Sequence, residues 1–292
     1  MRRQHTFASV LTALVLAAVT ALTAGPASAA KPPGTGGGGV SATAEGYPTS
    51  IASLGDSITR AYNAGGWYSD WPSRSWSTGS DPAVVSHYSR LAKLNRKTTV
   101  RAWNDADTGA KMAALPGQAL TAKNQGARYV TILMGANDAC TSTEAGMTSV
   151  ATFRSQFVNA MSTLTTQASP PKVLVASIPD IYRLWQVGRT SASARNAWNS
   201  FDICQSMLAN PGSTDAADEA RRQRVRQRVE EYNAALAGVC ATYTTCKYDG
   251  GAVFGYPFQL SHLSTWDYFH PNTSGQAVLA DVTWKAGFWP TS

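Results

Sequence analysis

The sequence predicts an α/β domain with a parallel sheet, and three observations favour this fold class. Short apolar segments rich in β-branched residues alternate along the chain with longer segments of helical periodicity. The segment 127–134 is an almost continuous apolar run, which is typical of a central strand that is buried on both faces. The chain beyond residue 46 is long enough for one such domain, and no second linker divides it.

The strands and helices follow from these patterns in chain order. We expect strands over 51–54, 98–103, 127–134 and 172–178, and a fifth strand within 242–254. We expect helices over 86–94, 111–124, 148–166 and 215–237, and a last helix near the end of the chain. The last helix is predicted to begin with a capping box formed by Thr273 and Gln276, while Asn272 suits a turn or cap. The segment 182–211 lacks strong periodicity, so we expect a partly helical excursion that shapes a substrate region.

The residues before the domain have the features of an exported chain. Residues 1–30 combine Arg2 and Arg3, a short apolar run and a small-residue cleavage site ending at Ala29 or Ala30, which predicts a secretory signal peptide. The apolar run is short for a transmembrane helix. Residues 31–46 are rich in glycine and proline and predict a flexible leader. We therefore expect a secreted, extracellular protein whose folded domain covers 47–292.

The formal net charge is +7, and it falls to about +5 without the two arginines of the predicted signal. This mild positive charge suits anionic surfaces such as phospholipid headgroups, but it does not require them. The densest basic run, 221–228, lies on a predicted amphipathic helix. A solvated helix face is the simpler explanation, and transient docking on anionic lipid is the alternative. No motif points to nucleic acid as a partner, none implies a protein partner, and we expect a monomer.

Four cysteines remain in the predicted domain, and export permits disulfide bonds. Four cysteines allow three pairings. We expect Cys240 to pair with Cys246, because these two are close in sequence, and Cys140 to pair with Cys204. The alternative of a metal site lacks Cys-x-x-Cys spacing and nearby histidines. We expect neither a metal nor another cofactor.

A candidate nucleophile follows the first predicted strand, in Gly55-Asp56-Ser57. Ligand sites of parallel sheets lie at the carboxyl ends of the strands, although this tripeptide is also typical of plain turns. A serine nucleophile needs a base, and His270 is the best candidate because Asp267 lies three residues before it. His262 is the reserve candidate. His87 opens a predicted helix and has no acidic partner nearby in sequence.

Two further residues lie where predicted strands end. Gly109 follows the second strand and is either an ordinary turn glycine or a backbone N–H that faces a developing oxyanion. Asn137 follows the third strand, where its side-chain amide could also donate to such a charge. Its neighbour Asp138 suits a structural role as a cap. The serine-hydrolase motif Gly-x-Ser-x-Gly occurs nowhere in the sequence, which argues against the nucleophile elbow of α/β hydrolases.

Taken together, these motifs resemble those of the SGNH (GDSL-type) hydrolases. Four signatures occur in order over nearly the whole domain: Gly55-Asp56-Ser57, Gly109, Gly135-Ala136-Asn137-Asp138 and Asp267-x-x-His270. The resemblance implies a three-layer α/β/α sandwich around a mostly parallel five-stranded sheet. Two departures are Ile58, where many members have leucine, and the surroundings of Gly109, which match loosely.

The resemblance also implies roles for these residues. Ser57 would be the nucleophile, His270 the base and Asp267 the residue that orients it. The oxyanion hole would comprise the N–H groups of Ser57 and Gly109 and the side-chain amide of Asn137. The implied reaction is ester hydrolysis through an acyl-enzyme, without a metal.

The substrate is open to more than one interpretation. Cys140 just after Gly-x-Asn-Asp, and the stretch Asp202-Ile203-Cys204, resemble secreted phospholipase-like members, so we expect lipid or phospholipid acyl esters. An acetyl-sugar esterase is the main alternative, and a non-catalytic secreted binding module is the third. Several aromatic residues fall in the irregular segment 62–82, where they either line an acyl or sugar pocket or form a satellite core. They are Tyr62, Trp67, Tyr68, Trp71 and Trp76.

Overall fold

The computed structural model describes residues 46–66, 68–96 and 98–290. The predicted signal peptide, all but the last residue of the predicted leader, and Trp67 lie outside the described residues. A five-stranded sheet with the order β2-β1-β3-β4-β5 forms the centre of the described part. Its strands are β1 Ser50–Gly55, β2 Arg101–Asn104, β3 Tyr129–Leu133, β4 Lys172–Val175 and β5 Cys246–Tyr248. Every strand pair is parallel, which confirms the predicted sheet.

Helices fill the connections between the strands. They are α1 His87–Leu94, α2 Leu115–Asn124, α3 Ala136–Ala139, α4 Val150–Thr165, α5 Ile181–Gly188, α6 Ala192–Ser200, α7 Gln205–Leu208, α8 Ala216–Cys240 and α9 Thr273–Ala286. The predicted excursion after β4 consists of α5, α6 and α7. Where one helix was predicted over 111–124, a 3-10 turn, Met112–Ala114, precedes α2. None of the helices in the described part has both the length and the apolar character to cross a membrane.

The side chains of each strand divide between two faces of the sheet. On β3, Val130 and Ile132 pack into the larger core, to which α8, α4 and α2 make the largest contributions among the helices. Tyr129 points to the opposite face, where it packs with Leu91 of α1 and Trp284 of α9. Because neighbouring side chains of a strand point to opposite faces, helices cover both sides of the sheet. This arrangement is the predicted three-layer α/β/α sandwich.

The arginine-rich helix α8 is not a simple solvated face. Its apolar positions, such as Val225 and Val229, are buried as predicted. Arg222, however, is fully buried and lies over the Trp185 ring at 4.2 Å. The arginines of the run each lie within ion-pair distance of a carboxylate: Arg221 of Asp218, Arg222 of Glu219, Arg224 of Glu144, Arg226 of Asp180 and Arg228 of Glu231. This pairing leaves little unbalanced charge for an anionic surface.

The start of α9 differs from the prediction. Asn272 is the N-cap, and its side chain accepts a hydrogen bond from the Gly275 N–H at 3.0 Å. The predicted capping box of Thr273 and Gln276 is therefore wrong, because Thr273 is already the first helical residue. The side chain of Gln276 instead donates a hydrogen bond to the Ile58 carbonyl in the loop after β1.

Two disulfide bonds join the four cysteines in the expected pairing. The first links Cys140, after α3, to Cys204, before α7, across 64 positions of the sequence. The second links Cys240, at the end of α8, to Cys246, at the start of β5. Among the residues described, no three histidine, cysteine or acidic side chains converge in a group that could hold a metal ion.

Candidate active site

Ser57 lies at the carboxyl end of β1, and the strand ends there for steric reasons. Gly55 has a φ of +153°, and a Cβ at this position would lie 2.3 Å from the carbonyl oxygen of Leu133. Only glycine fits without displacing the backbone. Gln118 of α2 binds both sides of this residue, accepting from the Gly55 N–H at 2.8 Å and donating to its carbonyl at 2.9 Å. The turn therefore leaves the sheet in one defined direction.

The turn that carries Ser57 is also fixed from the far end of the chain. The Tyr62 N–H donates to the Ser57 carbonyl at 2.9 Å. Gln276 of α9 donates to the Ile58 carbonyl at 2.8 Å and accepts from the Trp76 N–H at 2.9 Å. Sequence reasoning missed both Gln118 and Gln276. Their partners lie 63 and 218 residues away in the chain, and no local sequence pattern predicts these contacts.

Ser57, His270 and Asp267 form one continuous chain of hydrogen bonds. His270 Nε2 lies 2.8 Å from Ser57 Oγ, and His270 Nδ1 lies 2.6 Å from Asp267 Oδ2. A carboxylate at Nδ1 keeps the proton on that nitrogen, so Nε2 has a lone pair to receive the serine proton. The structure thus brings these three predicted residues into direct contact, with the geometry that activates a serine hydroxyl.

Asp267 is buried and held on both oxygens. Its Oδ1 accepts from the N–H groups of Phe269 and His270 at 2.8 and 3.0 Å. Its Oδ2 accepts from the Asn63 amide at 2.6 Å as well as from His270. Burial raises the pKa of Asp267, but hydrogen bonds and the charge of His270 outweigh burial, so its pKa is lowered overall. Sequence reasoning missed Asn63, which lies 204 residues from its partner.

The two candidate oxyanion residues lie on adjacent turns. Asn137 lies in α3, directly after β3, and its side chain donates to the Ala110 carbonyl at 3.0 Å. Gly109 immediately precedes that acceptor, is exposed, and has a φ of +84°. One proton of the Asn137 amide remains for another acceptor. Within the described ranges, no acceptor takes the N–H of Ser57 or of Gly109.

The other histidines take structural positions. His87 is fully buried, with its ring nitrogens 2.9 Å from the Tyr129 hydroxyl and 2.8 Å from the Thr283 hydroxyl. Burial lowers the pKa of His87 to about 3, so it is a neutral core residue. His262, the reserve candidate, accepts from the Gln259 N–H at 3.1 Å rather than contacting Ser57.

The aromatic residues of the segment 62–82 divide between the two expected roles. Trp76 is fully buried and belongs to the core. Trp71 packs over Gly65, where a Cβ would lie 1.9 Å from the indole. Tyr62 meets the His270 ring edge-on, with ring centroids 5.0 Å apart. Tyr68 is exposed. The segment is therefore partly core and partly a wall of the site.

An apolar cleft lies next to the three contacting residues. It encloses about 620 Å³ of atom-free space, part of which is open to solvent. Ile58, Ala136 and Phe269 line it, and these are the chain neighbours of Ser57, Asn137 and His270. Further apolar lining comes from Leu184 and Val187 of α5. Ser57, Asp267 and His270 themselves do not line the cleft, which adjoins the site through these chain neighbours and offers an apolar group a place there.

Asp138 and Asp56 are buried carboxyl groups around the site. Asp138 accepts from the Met112 N–H at 2.8 Å and from the Thr148 hydroxyl at 2.7 Å. It thus ties the turn after β3 to the segments before α2 and α4, a structural role as predicted. Asp56 accepts from the Ile58 N–H at 2.9 Å, while its Oδ2 has no partner in the described part of the chain. Burial raises the pKa of Asp56 to about 7.

Comparison with known families agrees with this arrangement. The model of the GDSL-like lipase/acylhydrolase family matches residues 51–283. The chain belongs to this family. The match begins at the second residue of β1, covers the other four strands and the residues from Ser57 to His270, and confirms the resemblance that the motifs predicted. A search of curated proteins gave no significant match.

Solved structures share the fold of this GDSL-family chain. An α/β hydrolase from the metagenome of Lake Arreo, Spain, has a TM-score of 0.52 at 17% identity, covering 84% of this chain and 97% of its own. An acetyl xylan esterase variant from Geobacillus stearothermophilus has a TM-score of 0.52 at 14% identity, covering 82% and 95%. At such identities the likeness concerns the fold alone.

Proposed function

We propose that this GDSL-family hydrolase cleaves carboxylic esters through an acyl-enzyme formed on Ser57. The observation that carries the proposal is the hydrogen-bond chain from Ser57 Oγ through His270 to the buried carboxylate of Asp267. A serine hydroxyl in that setting loses its proton to Nε2 as the oxygen attacks a carbonyl. The family match supports the same class of chemistry.

The proposed reaction proceeds in two halves. Ser57 Oγ attacks the ester carbonyl while His270 takes its proton, and the resulting imidazolium then protonates the departing alcohol. A water, deprotonated by His270, next attacks the acyl-enzyme. His270 then returns that proton to Ser57 Oγ as the bond between Oγ and the acyl carbon breaks, which releases the carboxylic acid and restores both residues. Asp267 stabilises the imidazolium in both halves without taking its proton.

Three donors are proposed for the oxyanion of each tetrahedral intermediate: the N–H groups of Ser57 and Gly109 and the amide of Asn137. The first two have no acceptor within the described ranges, and the third keeps one free proton. Each such donor stabilises the transition state by about 3 kcal/mol in serine hydrolases.

For the substrate we propose lipid or phospholipid acyl esters. The apolar cleft that adjoins the site through Ile58 and Phe269 supports this choice, because its largely apolar lining suits a hydrocarbon chain rather than a sugar. An acetyl ester would leave most of that apolar surface unused.

We also propose that the chain is secreted after cleavage near Ala29 or Ala30, which N-terminal sequencing of the protein from culture medium would test.

Two experiments test the proposal. A fluorophosphonate probe should label the wild-type protein at Ser57 and should leave the Ser57→Ala variant unlabelled. A folded wild-type protein that resists the probe would disprove the acyl-enzyme. A series of soluble esters of increasing acyl length, with phosphatidylcholine and acetylated xylan beside them, then ranks the substrates. Activity confined to acetyl esters would replace the lipid assignment with the acetyl-sugar esterase.

A further inference from the structure

Exposed aromatic side chains gather at one place on the surface. In the described part of the chain, five large hydrophobic side chains are exposed, and Val85 and Leu120 stand apart from the others. Tyr68, Phe201 and Trp266 are 51%, 55% and 41% exposed. The Tyr68 ring lies 5.7 Å from that of Phe201 and 5.5 Å from that of Trp266. We call these three residues the aromatic patch.

The aromatic patch is built on the loop that carries the proposed catalytic residues. Trp266 directly precedes Asp267, and the Tyr68 hydroxyl donates to the Trp266 carbonyl at 3.1 Å. The third ring, that of Phe201, directly follows α6. That helix is fastened to the same loop by the Trp198 indole, which donates to the Tyr268 carbonyl at 3.1 Å. The patch therefore lies beside the site and is held to it by hydrogen bonds.

Such a cluster indicates an interaction surface. Single exposed hydrophobic residues are ordinary on a soluble protein, but adjoining large ones cost free energy in water unless something covers them. Here Tyr68 adjoins both Phe201 and Trp266, so three of the five exposed large hydrophobic residues in the described part form one cluster, whereas Val85 and Leu120 are exposed singly. Their position means that whatever covers the patch is brought close to Ser57.

The geometry of the rings favours a lipid surface over a polysaccharide. A sugar ring stacks on a flat aromatic face, and several sugars need several coplanar faces. The rings of the patch instead meet at 66° and 68°, so they share no plane. Phe201 also lacks a polar group to bond a sugar. Tyrosine and tryptophan beside an apolar ring are typical of surfaces that insert into the boundary between lipid and water.

Charge decides which kind of lipid surface fits. The residue next to Phe201 is Asp202, and no lysine or arginine belongs to the patch. The dense arginines of α8 are neutralised by carboxylates. We propose that the aromatic patch docks this hydrolase on the interface of zwitterionic or neutral lipid, so that ester bonds at the interface reach Ser57. This inference rests on the proposed lipid substrate.

The test measures binding without catalysis. In a Ser57→Ala background, the protein should co-sediment with phosphatidylcholine vesicles, and the extent should change little between low and high salt. Adding Phe201→Ser and Trp266→Ser should weaken the partition by about tenfold or more, since two inserted rings are lost. Adding Val85→Ser and Leu120→Ser instead is the matched control, because it removes as many exposed apolar side chains away from the patch. That control should leave binding unchanged.

Several outcomes would overturn the proposal. Equal partition of the patch variant and its parent would do so, as would no binding of the parent to the vesicles. Binding only to phosphatidylglycerol vesicles, lost at high salt, would assign docking to basic residues instead. Loss of binding to acetylated xylan alone would make the patch a polysaccharide site. Since the background variant is inactive, none of these results depends on whether Ser57 forms an acyl-enzyme, which the probe experiment decides separately.

Discussion

Asn63, like His270, helps to fix the orientation of the Asp267 carboxylate. Each donates to the same carboxylate oxygen at 2.6 Å, and Asn63 is almost fully buried. Its φ of +60° is a left-handed conformation that asparagine tolerates better than most residues. Without this amide, the carboxylate would keep its charge but would lose one of the contacts that fix its rotation toward the imidazole.

We expect Asn63→Ala to lower kcat by roughly tenfold to a hundredfold, which corresponds to one lost hydrogen bond to a charged group. KM should stay near the wild-type value, because Asn63 is a positioning residue that acts through Asp267. Steady-state kinetics on a soluble ester would measure both constants. Asp267→Asn should cost far more, because it favours the wrong imidazole tautomer. An unchanged kcat in Asn63→Ala would mean that the other three donors suffice.

Burial also determines the protonation state of the Asp56 carboxyl group. With its pKa raised to about 7, the carboxyl holds a proton in the folded protein at pH values where the unfolded chain has lost it. The unfolded state therefore binds fewer protons between about pH 4 and pH 7. It follows that this group makes the free energy of unfolding fall as pH rises through that window, and the loss is complete above pH 7.

The variant Asp56→Asn removes this titration. Relative to wild type, its free energy of unfolding should rise by about 2–3 kcal/mol between pH 5 and pH 8, because about two pH units of this window lie below the folded pKa of about 7 and each is equivalent to about 1.36 kcal/mol. Urea unfolding at both pH values measures the difference. A gap between the two proteins that does not change with pH would show that Asp56 is ionised in the folded state throughout.

At the scale of secondary-structure elements, the turn from β3 into α3 leaves no room for a side chain at Gly135. Gly135 has a φ of +126° and precedes the helix that presents Asn137. A Cβ there would lie 2.5 Å from Ile178 Cδ1 and 3.0 Å from the Phe153 ring. Both the backbone conformation and the packing therefore exclude a side chain.

Gly135→Ala should lower the free energy of unfolding by about 2–5 kcal/mol, through backbone strain and overpacking together. Gly117→Ala is the matched control, because Gly117 is exposed on α2 and its Cβ would meet nothing within 4 Å. The control should be neutral or stabilising by up to about 1 kcal/mol. Urea unfolding of both variants decides the matter, and equal effects would contradict the steric argument.

The ends of two strands differ from the ends that the local sequence pattern predicts. The strand predicted over 172–178 ends at Val175. Beyond it, the Ser177 hydroxyl bonds Asp249, and the Ile178 N–H donates to Asn233 of α8. The residues are apolar enough for a strand, but side chains from distant elements take their hydrogen bonds. The strand predicted from residue 98 likewise begins only at Arg101, where pairing with β1 begins.

Some residues of the candidate site could be predicted from local sequence motifs, and others could not. Ser57, Asp267 and His270 were predictable because each belongs to a short motif at a recognisable place, the end of a strand or the approach to the last helix. Asn63 and Gln276 were not, because their function depends on contacts with residues about 200 positions away. Polar side chains that position others carry no local signature, and only the assembled fold reveals them.

For the whole molecule, the two disulfides constrain the unfolded chain unequally. The bond between Cys140 and Cys204 closes a loop of 64 positions, whereas that between Cys240 and Cys246 closes one of 6. Chain entropy then predicts stabilisation of about 4 and about 2 kcal/mol. Replacing each pair by serine and measuring urea unfolding would test the order. Equal losses, or a larger loss at the short loop, would contradict the entropic explanation.

The distance along the chain between Ser57 and His270, 213 residues, has a consequence for folding. Contact between them closes a loop that contains four of the five strands, so we expect this contact to form late in folding. Partly folded chains in which this loop is still open would leave Ser57 without His270, its proposed base. The rate at which hydrolysis recovers after dilution from denaturant would therefore report on this late step. Helix content, followed by spectroscopy, should recover before activity does.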